Sequence, residues 1–180
     1  MRVTPPFAPV TDHDLAVLAE QLGRPARGVI GIAARCVCGN PTVVATAPRL
    51  ADGSPFPTFY YLTHPAATAA MSRLEATHVM AELADELAAD PELQAGHLRA
   101  HHAYLADRAR YGDVPEIAGI SAGGMPTRVK CLHALAGHAL AGGPGVNPIG
   151  DAALARGDWS PQRCACARPG PMLDAAGVAE

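Results

Sequence analysis

Most of the residues in this 180-residue chain that could do chemistry are five cysteines, at 36, 38, 131, 164 and 166, and the run SAGGMPTRVKCLHALAGH at 121–138. Four of the cysteines form two Cys-x-Cys pairs, CVC and CAC. On an extended strand, residues two apart share a face, and in a loop both sulfurs can turn to one metal ion. Two such pairs could make a four-cysteine site. Structural zinc sites, however, more often carry two to four residues between ligands, and these pairs lie near opposite ends of the chain. A metal centre would therefore be assembled from distant segments, as a zinc or iron–sulfur site tying 36–38, Cys131 and the C-terminal pair together. The competing reading is that the thiols are small buried core residues.

In the 121–138 run, Gly123 and Gly124 permit backbone angles that expose successive N–H groups, and Pro126 or Thr127 is expected to start a helix. Arg128 and Lys130, the chain's one lysine beside thirteen arginines, add positive charge. Ser121, Gly123, Gly124, Arg128 and Lys130 are thus the expected cradle for a small anionic ligand, a phosphate or carboxylate. The competing reading is an ordinary loop and helix cap. The spacing is not that of a Walker A loop, and Ser121 lacks the GxSxG setting of a hydrolase nucleophile.

Cys131, next to Lys130 in the first turns of that helix, is the candidate catalytic residue, as a nucleophile or redox thiol. Helical periodicity sends His133 to the opposite face. It keeps His138 on the same face, about 10 Å further along. His97, His101 and His102 have helical spacing but no HExxH acid, so a solvated face is expected. Arg73 and Glu75 of SRLE are expected in surface ion pairs.

The elements that must position these groups change period midway. Thr11 or Asp12 can cap a helix with an apolar stripe at Leu15, Leu18 and Leu22, stopped by Gly23. Residues 28–48 read as a β-hairpin turning at CGNP, and PFPTFYYLTHP as a third extended run. From residue 66 apolar spacings of three and four predict two or three helices, with Pro91 opening one of them. One helix follows the glycine run and a weaker one lies near 150–156. Strands first and helices later predict an α+β domain: about three antiparallel strands packed with four to six helices. The expected boundaries are a flexible arm over 1–10, one domain over 11–168 and a disordered tail over 169–180.

A formal charge of −3 argues against a nucleic-acid partner. The sequence also has no apolar run long enough for membrane insertion and no leader-like start, so a cytoplasmic protein is expected. In that compartment cysteines serve as thiols or ligands more than as disulfides.

Together, LGRPARGVIGIAARC, PRLADGSPFPTFYYLTHP, SRLE, SAGGMPTRVKCLHALAGHALAGGPGVNPIGD and the region of Trp159 and Cys164 resemble the domain-of-unknown-function 501 family of high-GC Gram-positive bacteria. The resemblance spans roughly residues 20–166. It implies no reaction. It implies genes lying beside those of a septum-formation initiator and an exopolyphosphatase, hence a role as an interaction protein in cell division or polyphosphate metabolism. It further implies cysteines at the positions of Cys36, Cys131 and one near the C-terminus, with Cys38 often replaced. On that basis the expected ligands are Cys36, Cys131 and Cys164 or Cys166, with His133 or His138 as a fourth.

Overall fold

The computed structural model describes residue 5 and residues 7–168. The proposed tail at 169–180, and residues 1–4 and 6 of the proposed arm, lie outside the described residues. The chain runs α1 (Asp12–Leu22), β1 (Val29–Arg35), β2 (Pro41–Thr46), β3 (Tyr60–Leu62), α2 (Pro65–Glu75), α3 (Val79–Ala89), α4 (Pro91–Ala109), α5 (Leu132–Gly142) and α6 (Pro148–Arg156), with a 3-10 turn at Pro115–Ile117. This is an α+β fold with a three-stranded antiparallel sheet.

Local chemistry sets the element ends. Thr11 caps α1 in a reciprocal capping box with Asp14, and Gly23 closes it in the left-handed conformation. Pro65, Pro91 and Pro148 each open a helix, where the missing N–H costs nothing. The sheet is a meander in the order β1-β2-β3, with Val44 paired to Ile32 on one side and to Tyr61 on the other. Every residue of β2 is buried, because both of its faces are covered. Leu18 of α1 meets Ile32 and Val44 on one side. The main core, with Val43, Ala45, Leu132, Leu135 and Ala136, fills the other.

Helix α5 is the apolar axis of the domain, packed between the sheet, α2 and α6. Its neighbour α6 approaches so closely that a Cβ on Gly150 would lie 2.2 Å from the Leu135 carbonyl oxygen. Under the sheet, an aromatic cluster joins Phe7, Phe59, Tyr60, Tyr104 and Tyr111. Phe7, from the proposed arm, stacks on Tyr111 with ring planes 4° apart. Among the described residues no helix is long and apolar enough to cross a membrane.

Candidate metal centre

The two Cys-x-Cys pairs meet. The sulfurs of Cys36, Cys38, Cys164 and Cys166 all lie within 4.8 Å of one another, with Cys36 and Cys38 buried. The CGNP turn presents the first pair: the Cys36 N–H donates to the Asn40 carbonyl, and the Gly39 N–H returns to the Cys36 carbonyl. The second pair comes from the segment after α6, which is pinned back onto the hairpin. Asn40 Nδ2 donates to the Arg168 carbonyl at 2.8 Å, and Arg168 Nη1 reaches Glu20 of α1 at 3.0 Å.

Packing thiols together out of water opposes their ionisation. Burial, and then the Cys38 thiol, push Cys166 well above the usual thiol range, and burial pushes Cys36 up. A bound cation reverses that balance, because thiolates are the metal-binding form and the cation supplies the opposite charge. His64, the N-cap of α2, adds a supporting contact: its Nε2 lies 3.2 Å from Cys166 Sγ. The Ala67 N–H donates to Nδ1, so Nε2 carries the hydrogen and donates to the sulfur. Burial holds the His64 pKa below the ordinary value, which keeps the ring neutral. The ring of Trp159 lies 5.3 Å from that of His64.

Cys131 is not part of this group, and the ligand set expected from the family is corrected on that point. It lies instead with Glu75 and His133, whose ligand atoms are also within 4.8 Å of each other and of its sulfur. The reason is a late helix start. Gly123 and Gly124, at φ +68° and +94°, fold 121–131 into a loop closed by Lys130 N–H to the Gly123 carbonyl and Arg128 N–H to the Gly124 carbonyl. The helix begins at Leu132, not at Pro126 or Thr127, and Cys131 precedes it as the N-cap. The opposite-face argument for His133 therefore does not apply.

The late start also bears on the proposed anion cradle of Ser121, Gly123, Gly124, Arg128 and Lys130. The N–H groups of Met125, Arg128 and Lys130 are bonded within the loop, and Ser121 Oγ lies 2.8 Å from His101 Nδ1. The N-terminus of α5 is capped by a carboxylate from within the chain, Glu75 Oε1, which accepts from Leu132 N–H at 2.6 Å. Glu75 is thus drawn inward, away from the expected surface pairing, whereas Arg73 does pair at the surface, with Asp158.

His138 stands apart from both sulfur groups. It is fully buried, stacked on Tyr60 with ring planes 10° apart, and its Nδ1 faces Asn147 Nδ2 at 3.2 Å. His97 and His101 are buried too, not on a solvated face, because the glycine loop covers that side of α4: His97 Nε2 reaches the Arg128 carbonyl at 3.3 Å.

Sequence reasoning missed His64 as a neighbour of the sulfurs and Glu75 as a neighbour of Cys131. The one local signal for His64 was its place directly before Pro65, at a strand-to-helix boundary.

Fold and site together define a class: an α+β protein carrying a tetracysteine group able to take a metal ion. The chain belongs to the DUF501 family, described as a protein of unknown function, whose model matches residues 32–155. Cys36, Cys38 and Cys131 fall inside the matched span, and Cys164 and Cys166 follow it. No curated protein and no solved structure matches the chain.

Proposed function

We propose that the protein binds one tetrahedral metal ion, zinc, through Cys36, Cys38, Cys164 and Cys166, and that the ion fastens the C-terminal segment onto the hairpin and α1. The observation that carries the reading is the convergence of four sulfurs within 4.8 Å. Zinc–sulfur bonds of about 2.3 Å set tetrahedral sulfur–sulfur edges of about 3.8 Å. The 3.6 Å from Cys38 Sγ to Cys166 Sγ is close to such an edge. An iron–sulfur cluster places several irons and sulfides between its thiolates and needs a wider opening. All four ligands are cysteines, which leaves no position for water and suits a closed structural site.

Protein purified without oxygen tests the reading by elemental analysis and absorption spectroscopy. The expected result is colourless protein whose zinc at this centre is lost in Cys38→Ser and Cys166→Ser. Visible absorption with stoichiometric iron and sulfide would replace zinc by a cluster. Folded, metal-free protein with no zinc affinity would end the proposal.

A further inference from the structure

The side chains around Cys131 make a second, differently built constellation. His133 Nε2 lies 3.1 Å from the Thr68 carbonyl oxygen and 3.2 Å from Ser72 Oγ. A carbonyl can only accept, so Nε2 carries a hydrogen and donates it. That leaves Nδ1 as the ring nitrogen with a free choice, and it lies 3.1 Å from Glu75 Oε1. A lone pair on Nδ1 cannot face a carboxylate with nothing between them: a proton or a metal ion must sit there. A proton would satisfy this pair, and contact with Cys131, then with Glu75, pushes the His133 pKa up to about 9. A metal ion would use all three groups at once, since the Cys131 sulfur lies within 4.8 Å of both other ligand atoms.

The geometry points to a second metal site, formed by His133 Nδ1, Glu75 Oε1 and Cys131 Sγ, that takes a zinc-class divalent cation with a fourth position open to water or a small anion. Zinc–nitrogen and zinc–oxygen bonds of about 2.0–2.2 Å give a tetrahedral N–O edge of about 3.3 Å, near the observed 3.1 Å. The supporting contacts are those a metal site needs. The imidazole donates its other N–H to a backbone carbonyl, and the carboxylate oxygen is held by Leu132 N–H. Three mixed ligands are one short of zinc's usual four. Glu75, His133 and Cys131 are all partly exposed, so solvent reaches the missing position. This separates the site from the tetracysteine centre in chemistry as well as in place: the latter is closed, the former open and able to exchange a ligand.

The full chain, stripped with chelator under reducing conditions and titrated with cobalt(II) while absorbance is followed, tests the inference. Thiolate-to-cobalt absorption scales with the number of sulfurs bound, so the two sites differ in signal. The wild type is expected to bind two equivalents. Cys131→Ser and Glu75→Gln should each bind one, with the intense tetrathiolate absorption intact, which also shows that they fold. Cys38→Ser should keep the weak, single-thiolate equivalent. One equivalent in the wild type, or a second that persists in both Cys131→Ser and Glu75→Gln, overturns the second site and leaves the tetracysteine reading standing. Loss of only the strong equivalent does the reverse.

Discussion

Cys38 Sγ and Cys166 Sγ lie 3.6 Å apart although 128 residues separate them. Among the described residues this contact has backbone support from one side, Asn40 Nδ2 to the Arg168 carbonyl. A shared ion that closes so long a loop should hold the C-terminal segment far more firmly than this bond and the Arg168–Glu20 and His64–Cys166 contacts do alone. Cys38→Ser is therefore expected to lower zinc affinity by more than the ~10–100-fold that loss of a supporting group costs. The same change, or chelation of the wild type, should open the chain after α6 to protease while the rest of the domain stays protected. Limited proteolysis with mass analysis reads this directly, and equal cleavage with and without zinc would contradict it.

His64 acts on the sulfurs at one remove, through Nε2–H to Cys166 Sγ. Replacing it with phenylalanine keeps a ring beside Trp159 but removes the donor. Zinc affinity should fall ~10–100-fold with the one-to-one stoichiometry of the tetracysteine centre preserved. His64→Gln, which retains an N–H donor, should recover part of the loss. A competition titration against a chelator of known affinity measures both, and identical affinities for the two variants would assign His64 to α2 capping alone.

Part of this arrangement is legible in the sequence, and the physics explains which part. Thr11, Gly23, Pro91 and the CGNP turn act through neighbours a few residues away, so their roles are read locally and the elements fall where expected. The cysteines are different. Two Cys-x-Cys pairs allow a four-sulfur group without requiring one, and whether Cys38 or Cys131 joins it depends on how the last segment lies across the hairpin, which no local pattern encodes. The placement of His133 failed for a sharper reason. Periodicity assigns faces only once the helix start is known, and the glycine-closed loop delays that start to Leu132. Removing Cys131 from the helix proper brings it to the same place as His133 and Glu75.

Asp14 gives the domain an acid-sensitive joint. Burial alone would raise its pKa, but hydrogen bonds from Arg35 and from the Thr11 backbone and hydroxyl together outweigh burial and leave it lowered. Arg35 makes a two-pronged contact, Nη1 to Oδ1 at 2.6 Å and Nη2 to Oδ2 at 3.0 Å, while Nη1 also reaches the Gly39 carbonyl in the turn that carries Cys36 and Cys38. With the folded pKa below the unfolded value of about 3.9, the contribution is fully present above that value and is lost as pH falls through the folded pKa. Asp14→Asn should cost ~2 kcal/mol near neutral pH, the scale of a hydrogen bond to a charged group, and less in acid. Denaturant unfolding at pH 7 and pH 3 checks this. A penalty that does not shrink at the lower pH would show that the charge is not what Asp14 contributes.

Gly150 provides a test of the α5–α6 contact in which two effects oppose each other. Helix propensity alone predicts that Gly150→Ala stabilises α6 by about 1 kcal/mol. Sterics predict the opposite, because the new Cβ would lie 2.2 Å from the Leu135 carbonyl oxygen and 2.8 Å from the Ala139 Cβ. The nearest obstacle is backbone, which cannot swing aside as a flexible side chain would. The helices must separate, at the ~1–3 kcal/mol typical of overpacking. The net expectation is destabilisation. Ala155→Gly, at an exposed position of the same helix, calibrates the propensity alone at about 1 kcal/mol. Thermal unfolding of the two variants decides between the effects: a Tm for Gly150→Ala at or above that of the wild type would mean that α6 does not sit this close to α5.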